Sequence, residues 1–175
     1  MMYFELSVHL LIDLIQESFG SLGPDSAKPN ESSSNAHNVS VVLFFCTLRE
    51  LLLNSLIAHL CWAQRIPRAV HERLLADSNS HALRQNNLLP ALTGKKWKAL
   101  VAEEARSSQL DDVEIDEFTR KAVEARNKFM HQGNGWGIDR ALASGCIHRI
   151  WPLLNFYVAL HNRYVHPAYL AKSNP

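Results

Sequence analysis

Apolar residues recur at helical spacing through most of this chain, and nothing reads as a pair of strands. Phe4, Val8, Leu11, Ile15 and Phe19 predict an amphipathic helix over residues 3–19, with Glu5, Asp13 and Glu17 pointing elsewhere. Residues 20–36 are rich in Gly, Pro, Ser and Asn, and read as a flexible connection. The longest helix is expected over residues 38–64. It is apolar nearly all round at Val39–Cys46, then carries Leu48, Leu51, Leu52, Leu56 and Leu60 along one side. A helix this apolar belongs at the centre of a bundle or in an interface. Pro67 helps to stop it.

The pattern then weakens. A helix is expected near Arg68–Ala76, a polar break near Asp77–Ser80, and a short helix or irregular piece to Leu89, with Pro90 and Gly94 as punctuation. A helix over Lys95–Arg106 turns Trp97, Leu100 and Val101 inward. Asp111 suits the N-cap of the next helix, with Glu114 as its capping-box partner. Ile115, Phe118, Ala122 and Phe129 set the buried stripe of that helix, which should end near His131 because Gly133, Gly135 and Gly137 follow. Asp139 then caps a last long helix to about Tyr164; Pro152 should kink it and Pro167 limits its end. The expectation is one all-α domain over residues 1–175, a bundle of about five helices with its main body at residues 38–166.

Composition agrees with this reading. Apolar residues make up 47% and charged residues 20% of 175, with only 7 Gly and 7 Pro, which favours long helices over many short strands. The net charge of +1 supplies no global positive field, so any nucleic-acid contact must be local. Lys95, Lys96 and Lys98 form one basic cluster; Arg120, Lys121, Arg126 and Lys128 form another, and either can simply solvate a helix face. Cys46, Cys61 and Cys146 lie far apart in apolar surroundings, which reads as reduced, buried thiols rather than a disulfide framework or zinc knuckle. The N-terminal stretch lacks a basic start and a cleavage site, against a secretory leader. Val41–Ala63 is long enough to suggest a membrane span. It contains Arg49, Glu50, Asn54 and His59, which are costly in lipid, so a buried central helix in a cytoplasmic protein is the expectation.

The chemistry concentrates in Arg126-Asn127-Lys128-Phe129-Met130-His131. Asn127 and His131 are four residues apart and share a helix face. Arg126 and His131 lie about 140° apart around an ideal helix, a gap that a long Arg can partly close. Arginine is always charged and binds two phosphate oxygens at once. Histidine is suited to moving protons near neutral pH, and a helix C-terminus favours its cation. RNA brings its own nucleophile, the 2′-hydroxyl. An Arg on the phosphate and a His on the proton form a minimal ribonuclease that calls for no metal and no cofactor. The bland alternative is an Arg bound to a nearby carboxylate and a His capping carbonyls.

Arg126-Asn127, three residues and His131 resemble the RNxxxH form of the R-x4-6-H motif of HEPN domains (higher eukaryotes and prokaryotes nucleotide-binding). The motif also lies late in the chain before one more long helix, as in that family, and Thr47–Leu60 with Glu50 suits the family's buried second helix. The resemblance spans residues 38–166. It implies a metal-independent endoribonuclease working as a homodimer, with two motifs facing each other across a cleft. Arg126 would clamp the scissile phosphate, Asn127 would orient the site, and two copies of His131 would share base and acid roles. Products would carry a 2′,3′-cyclic phosphate and a 5′-hydroxyl. Relatives are toxins, antiviral effectors or RNA-processing factors, often restrained by a nucleotidyltransferase-like antitoxin. Others have lost activity and serve as binding or dimerisation modules. A purely structural helical adaptor is a further alternative.

Glu50, mid-helix beside Arg49, needs a partner if buried, and Arg126 is a candidate; Glu50 and Lys128 are candidates for supporting roles at the site. Asn54 belongs to the same question. Trp136, between glycines, can stack on an RNA base or pack onto the bundle. The 9 His include His148, His161 and His166, but no HExxH or Cys-His pairing supports a metal site. No GxSxG elbow or phosphate-loop motif is present.

Overall fold

The computed structural model describes residues 6–20, 32–108 and 112–167. Every regular element among them is helical. In chain order these are α1 (Leu6–Gly20), α2 (Ser32–Ala63), α3 (Arg68–Asp77), α4 (His81–Leu83), a π-helical turn (Arg84–Leu88), α5 (Leu89–Thr93), α6 (Trp97–Ser108), α7 (Asp112–Gln132) and α8 (Arg140–Tyr164). The all-α expectation holds. The described helices outnumber the five or so expected, α6 starts at Trp97 rather than Lys95, and two further differences have a clear cause. Residues 32–36, expected to lie in the flexible connection, open α2. Ser and Asn are weak helix formers, but once the apolar run from Val39 has nucleated a helix, each added residue gains a hydrogen bond at little further cost. Pro90 also lies inside helical structure rather than ending it, near the start of α5. The wider π-helical turn just ahead of it gives its ring room that an ordinary α-turn denies. Asp111 and the side chain of Glu114, expected to form a capping box, lie outside the described residues.

The chain forms two compact units, with the boundaries falling inside α2 and α8. The first takes Glu50–Asp112 and the chain from Leu154 onward. Its core is Leu52, Leu56, Ile57 and Leu60 of α2, Leu100 of α6, and Phe156, Tyr157 and Leu160 of α8. Trp97 meets Phe156 edge to face at 5.3 Å. Arg84 ties α3 and α4 to α2: its guanidinium donates to Asn54 Oδ1 at 2.8 Å, the Ser78 carbonyl at 2.8 Å and the Leu75 carbonyl at 3.3 Å. Asn54 therefore has a structural partner. Glu104 is buried, and Arg163 of α8 reaches it at 2.7 Å. The same guanidinium lies 3.2 Å from Glu103, whose other oxygen holds Lys95 at 2.6 Å. His161 packs edge to face on His59 at 5.1 Å; burial, aided by the charge of His59, pushes its pKa down to about 4, so it stays neutral.

The second unit takes Phe4–Arg49 and Val113–Leu153. Val8, Ile12 and Ile15 of α1 are buried with Val41, Val42, Phe45 and Leu48 of α2, Ala122 of α7, and Ala143, Cys146 and Ile150 of α8. The Ala36–Ala63 stretch has the length and hydropathy of a membrane span. In this fold most of its large apolar side chains are buried, shared between the two cores. The three cysteines are free and buried, and burial raises the Cys61 and Cys146 thiols, which keeps them protonated and poor nucleophiles.

Phe118 of α7 organises the contact between α7 and α8. Phe45 meets it edge-on at 6.2 Å, and the Arg149 guanidinium stacks 4.0 Å from its ring centre. The ring lies against the bare Cα of Gly145, where an added Cβ would meet Phe118 at 2.5 Å. Gly145→Ala is therefore expected to destabilise the fold. Overpacking costs about 1–3 kcal/mol, offset by about 1 kcal/mol of better helix propensity. The melting temperature should fall by a few degrees in thermal denaturation. An unchanged or higher value would mean that the ring moves aside at no cost.

Candidate functional site

Helix α7 carries the motif, and its end is set locally. Gly133 adopts a left-handed conformation (φ 62°) and its N–H bonds to the Phe129 carbonyl at 2.9 Å, the usual glycine stop. The motif thus occupies the last turns of α7, as the glycines imply. Asn127 and His131 are both exposed and one turn apart, about 6 Å along the axis. His131 sits in the last turn of the helix. Arg126 is half-buried and already engaged in the fold. Phe129 is half-buried, while Lys128 and Met130 are exposed. The arrangement is therefore a polar, solvent-facing pair, Asn127 and His131, with a partly held guanidinium on the neighbouring flank.

The other candidates divide. Glu50 is half-buried and has an interaction of its own. Arg120 and Lys121 are committed along their own helix, to Glu124 at 2.6 Å and Glu117 at 3.2 Å. Such exposed i,i+4 pairs are weak and can exchange partners. Lys95 of the first basic cluster is likewise held by Glu103. Among the described residues, no three His, Cys, Asp or Glu side chains come together as a metal site. His148 instead bonds through Nδ1 to the Ser144 carbonyl of its own helix, at 2.7 Å.

Trp136 does not pack onto the bundle. It is 95% exposed, the most exposed large apolar side chain among the described residues. The glycines around it leave nothing bulky nearby on the chain for the indole to cover. Asn134 was not singled out by sequence, yet its Oδ1 accepts the Trp136 N–H at 3.0 Å and so shapes the loop; the Asn-Gly step was the available signal. Met130, beside His131, is 60% exposed. Downstream, Asp139 caps α8 as expected, accepting the Leu142 N–H at 2.8 Å.

No protein-family model, curated protein or solved structure matches the chain.

Proposed function

We propose that this chain is a HEPN-type endoribonuclease of the cytoplasm that acts as a homodimer through its Arg126–His131 motif. The observation that carries the reading is the solvent-facing pair Asn127 and His131 at the glycine-stopped end of α7, beside Arg126. A proton-transfer group for an RNA substrate has to reach solvent, and this His does. In the reaction, the RNA 2′-oxygen attacks the adjacent phosphorus as one His131 removes the 2′-proton. The bond to the 5′-oxygen breaks as the partner copy of His131 returns a proton to it. Arg126 binds the non-bridging oxygens as charge builds on them, and Asn127 orients the phosphate. A single imidazole would have to serve both ends of this exchange, which is the argument for two copies.

A second reading, a catalytically silent HEPN-like module that binds RNA, a nucleotide or a protein such as a nucleotidyltransferase-like antitoxin, draws support from the pairing of Arg120 and Lys121 with glutamates. It predicts the same dimer and no cleavage. The adaptor reading, with the motif buried in ion pairs, fits poorly with the exposure of Asn127 and His131.

Incubation of the purified protein with single-stranded RNA in EDTA tests the first reading. The expected result is cleavage leaving 2′,3′-cyclic phosphate and 5′-hydroxyl ends. Intact RNA with a dimeric protein would favour the silent module, and products with 3′-hydroxyl ends would rule out the mechanism.

A further inference from the structure

The loop after His131 presents one aromatic ring to solvent, and the fold holds that ring out. Residues 133–139 connect α7 to α8. The loop is pinned at its start by the Gly133 N–H on the Phe129 carbonyl, and at its end by the Ile138 N–H on the Gly135 carbonyl, each at 2.9 Å. Ile138 is buried, which anchors the far side. Between these points Asn134 Oδ1 holds the Trp136 backbone N–H. The backbone is thus ordered on both sides of a side chain that is 95% exposed. An indole left in water forgoes the transfer energy that would normally bury it.

We propose that Trp136 is a stacking platform for a nucleobase of single-stranded RNA flanking the phosphate held at Arg126–His131. This rests on the ribonuclease reading and specifies its substrate class. Three observations select a base over a protein partner. Gln132, Gly133, Asn134 and Gly137, its neighbours in the chain, are exposed and polar or small, so the loop itself offers no apolar run of the kind a protein interface needs. Glycine on each side leaves the ring faces open on the chain side. The ring also lies five residues past His131, on a short loop that starts where the motif helix stops. Stacking is tolerant of sequence because every base has a π-face, but the base must be unpaired to be splayed onto a ring. The consequence is a preference for single strands over duplex with little base specificity. An indole platform also supplies affinity that a chain of net charge +1 does not draw from its overall field.

The test uses the full chain and a fluorescein-labelled 12-nucleotide RNA carrying 2′-O-methyl groups, which removes the nucleophile, as single strand and as duplex. Binding is read by anisotropy, oligomeric state by sedimentation, and cleavage separately on ordinary RNA. Wild type should prefer the single strand. Trp136→Ala should weaken single-strand binding about tenfold, and Trp136→Phe should retain most of it, with the dimer unchanged. On ordinary RNA, Trp136→Ala should raise KM and leave kcat nearly unaltered. Equal single-strand affinity for Trp136→Ala and wild type would overturn the platform, and active cleavage by both would leave the ribonuclease reading standing. Loss of the dimer in Trp136→Ala, or an equal loss of duplex binding, would also overturn it, because the ring would then be a protein contact or a general one. If wild type binds single strands through Trp136 but cuts no RNA, the platform stands and the catalytic reading falls.

Discussion

Replacing His131 by alanine is expected to lower kcat/KM for RNA cleavage by about 10²- to 10⁴-fold, the usual worth of a positioned general acid or base. The size follows from the absence of a substitute. In the proposed mechanism both proton transfers pass through copies of the same residue, so one substitution removes base and acid together from a homodimer. The side chain is exposed at the last turn of α7, so its removal should leave stability within about 0.5 kcal/mol. The loss of rate would then be chemical and not a failure to fold. Arg126→Ala should also be inactive, but Arg126 is half-buried and engaged in the fold, so that variant mixes a lost phosphate contact with lost packing. His131→Ala is the cleaner experiment. The measurement is initial rate against RNA concentration, with helicity and dimer mass recorded in parallel. A variant that keeps more than a tenth of the wild-type rate would remove His131 from the chemistry.

Arg163→Ala is expected to produce the largest loss of stability, about 3 kcal/mol, or roughly 6–12 °C in melting temperature. Glu104 is only 3% exposed at its side chain, and the Arg163 guanidinium lies 2.7 Å from it. Removing the guanidinium takes the 2.7 Å partner from a carboxylate that water reaches poorly, and Glu103 loses a 3.2 Å neighbour at the same time. The figure sits at the low end for a broken buried pair because Arg163 itself is 36% exposed, so solvent screens part of the interaction. Glu104→Gln removes the charge that Arg163 compensates. In that background Arg163→Ala should cost under about 1 kcal/mol, a difference that a double-mutant cycle in urea resolves. Additive losses would show that the two side chains do not stabilise each other. The same network marks the C-terminal part of α8 as structural, which explains why His161, neutral and packed on His59, is no candidate for proton transfer.

Much of the motif could be read from its spacing. Asn127 and His131 are exposed together because four residues make nearly one turn, and Arg126 takes a different environment because five do not. Trp136 was less legible: a tryptophan between glycines reads more readily as packed onto the bundle, and only the Asn134 bond and the folded surroundings put its ring in solvent. Asn54 and Glu104 were illegible as partners, because Arg84 and Arg163 come from distant positions in the chain.

What the sequence by itself determined is what neighbouring residues settle among themselves. The helical class follows from apolar spacing, the end of α7 from Gly133, and the start of α8 from Asp139, whose side chain reaches an N–H three residues on. Tertiary structure decided what depends on contacts between distant segments. The burial of Glu104 makes Arg163 its charge partner, and the division of the helices between two cores places the motif with α1 and the first part of α2. The physical reason is the same in each case. Capping and turn formation act over one turn of helix, whereas burial and charge compensation depend on residues that only folding brings together.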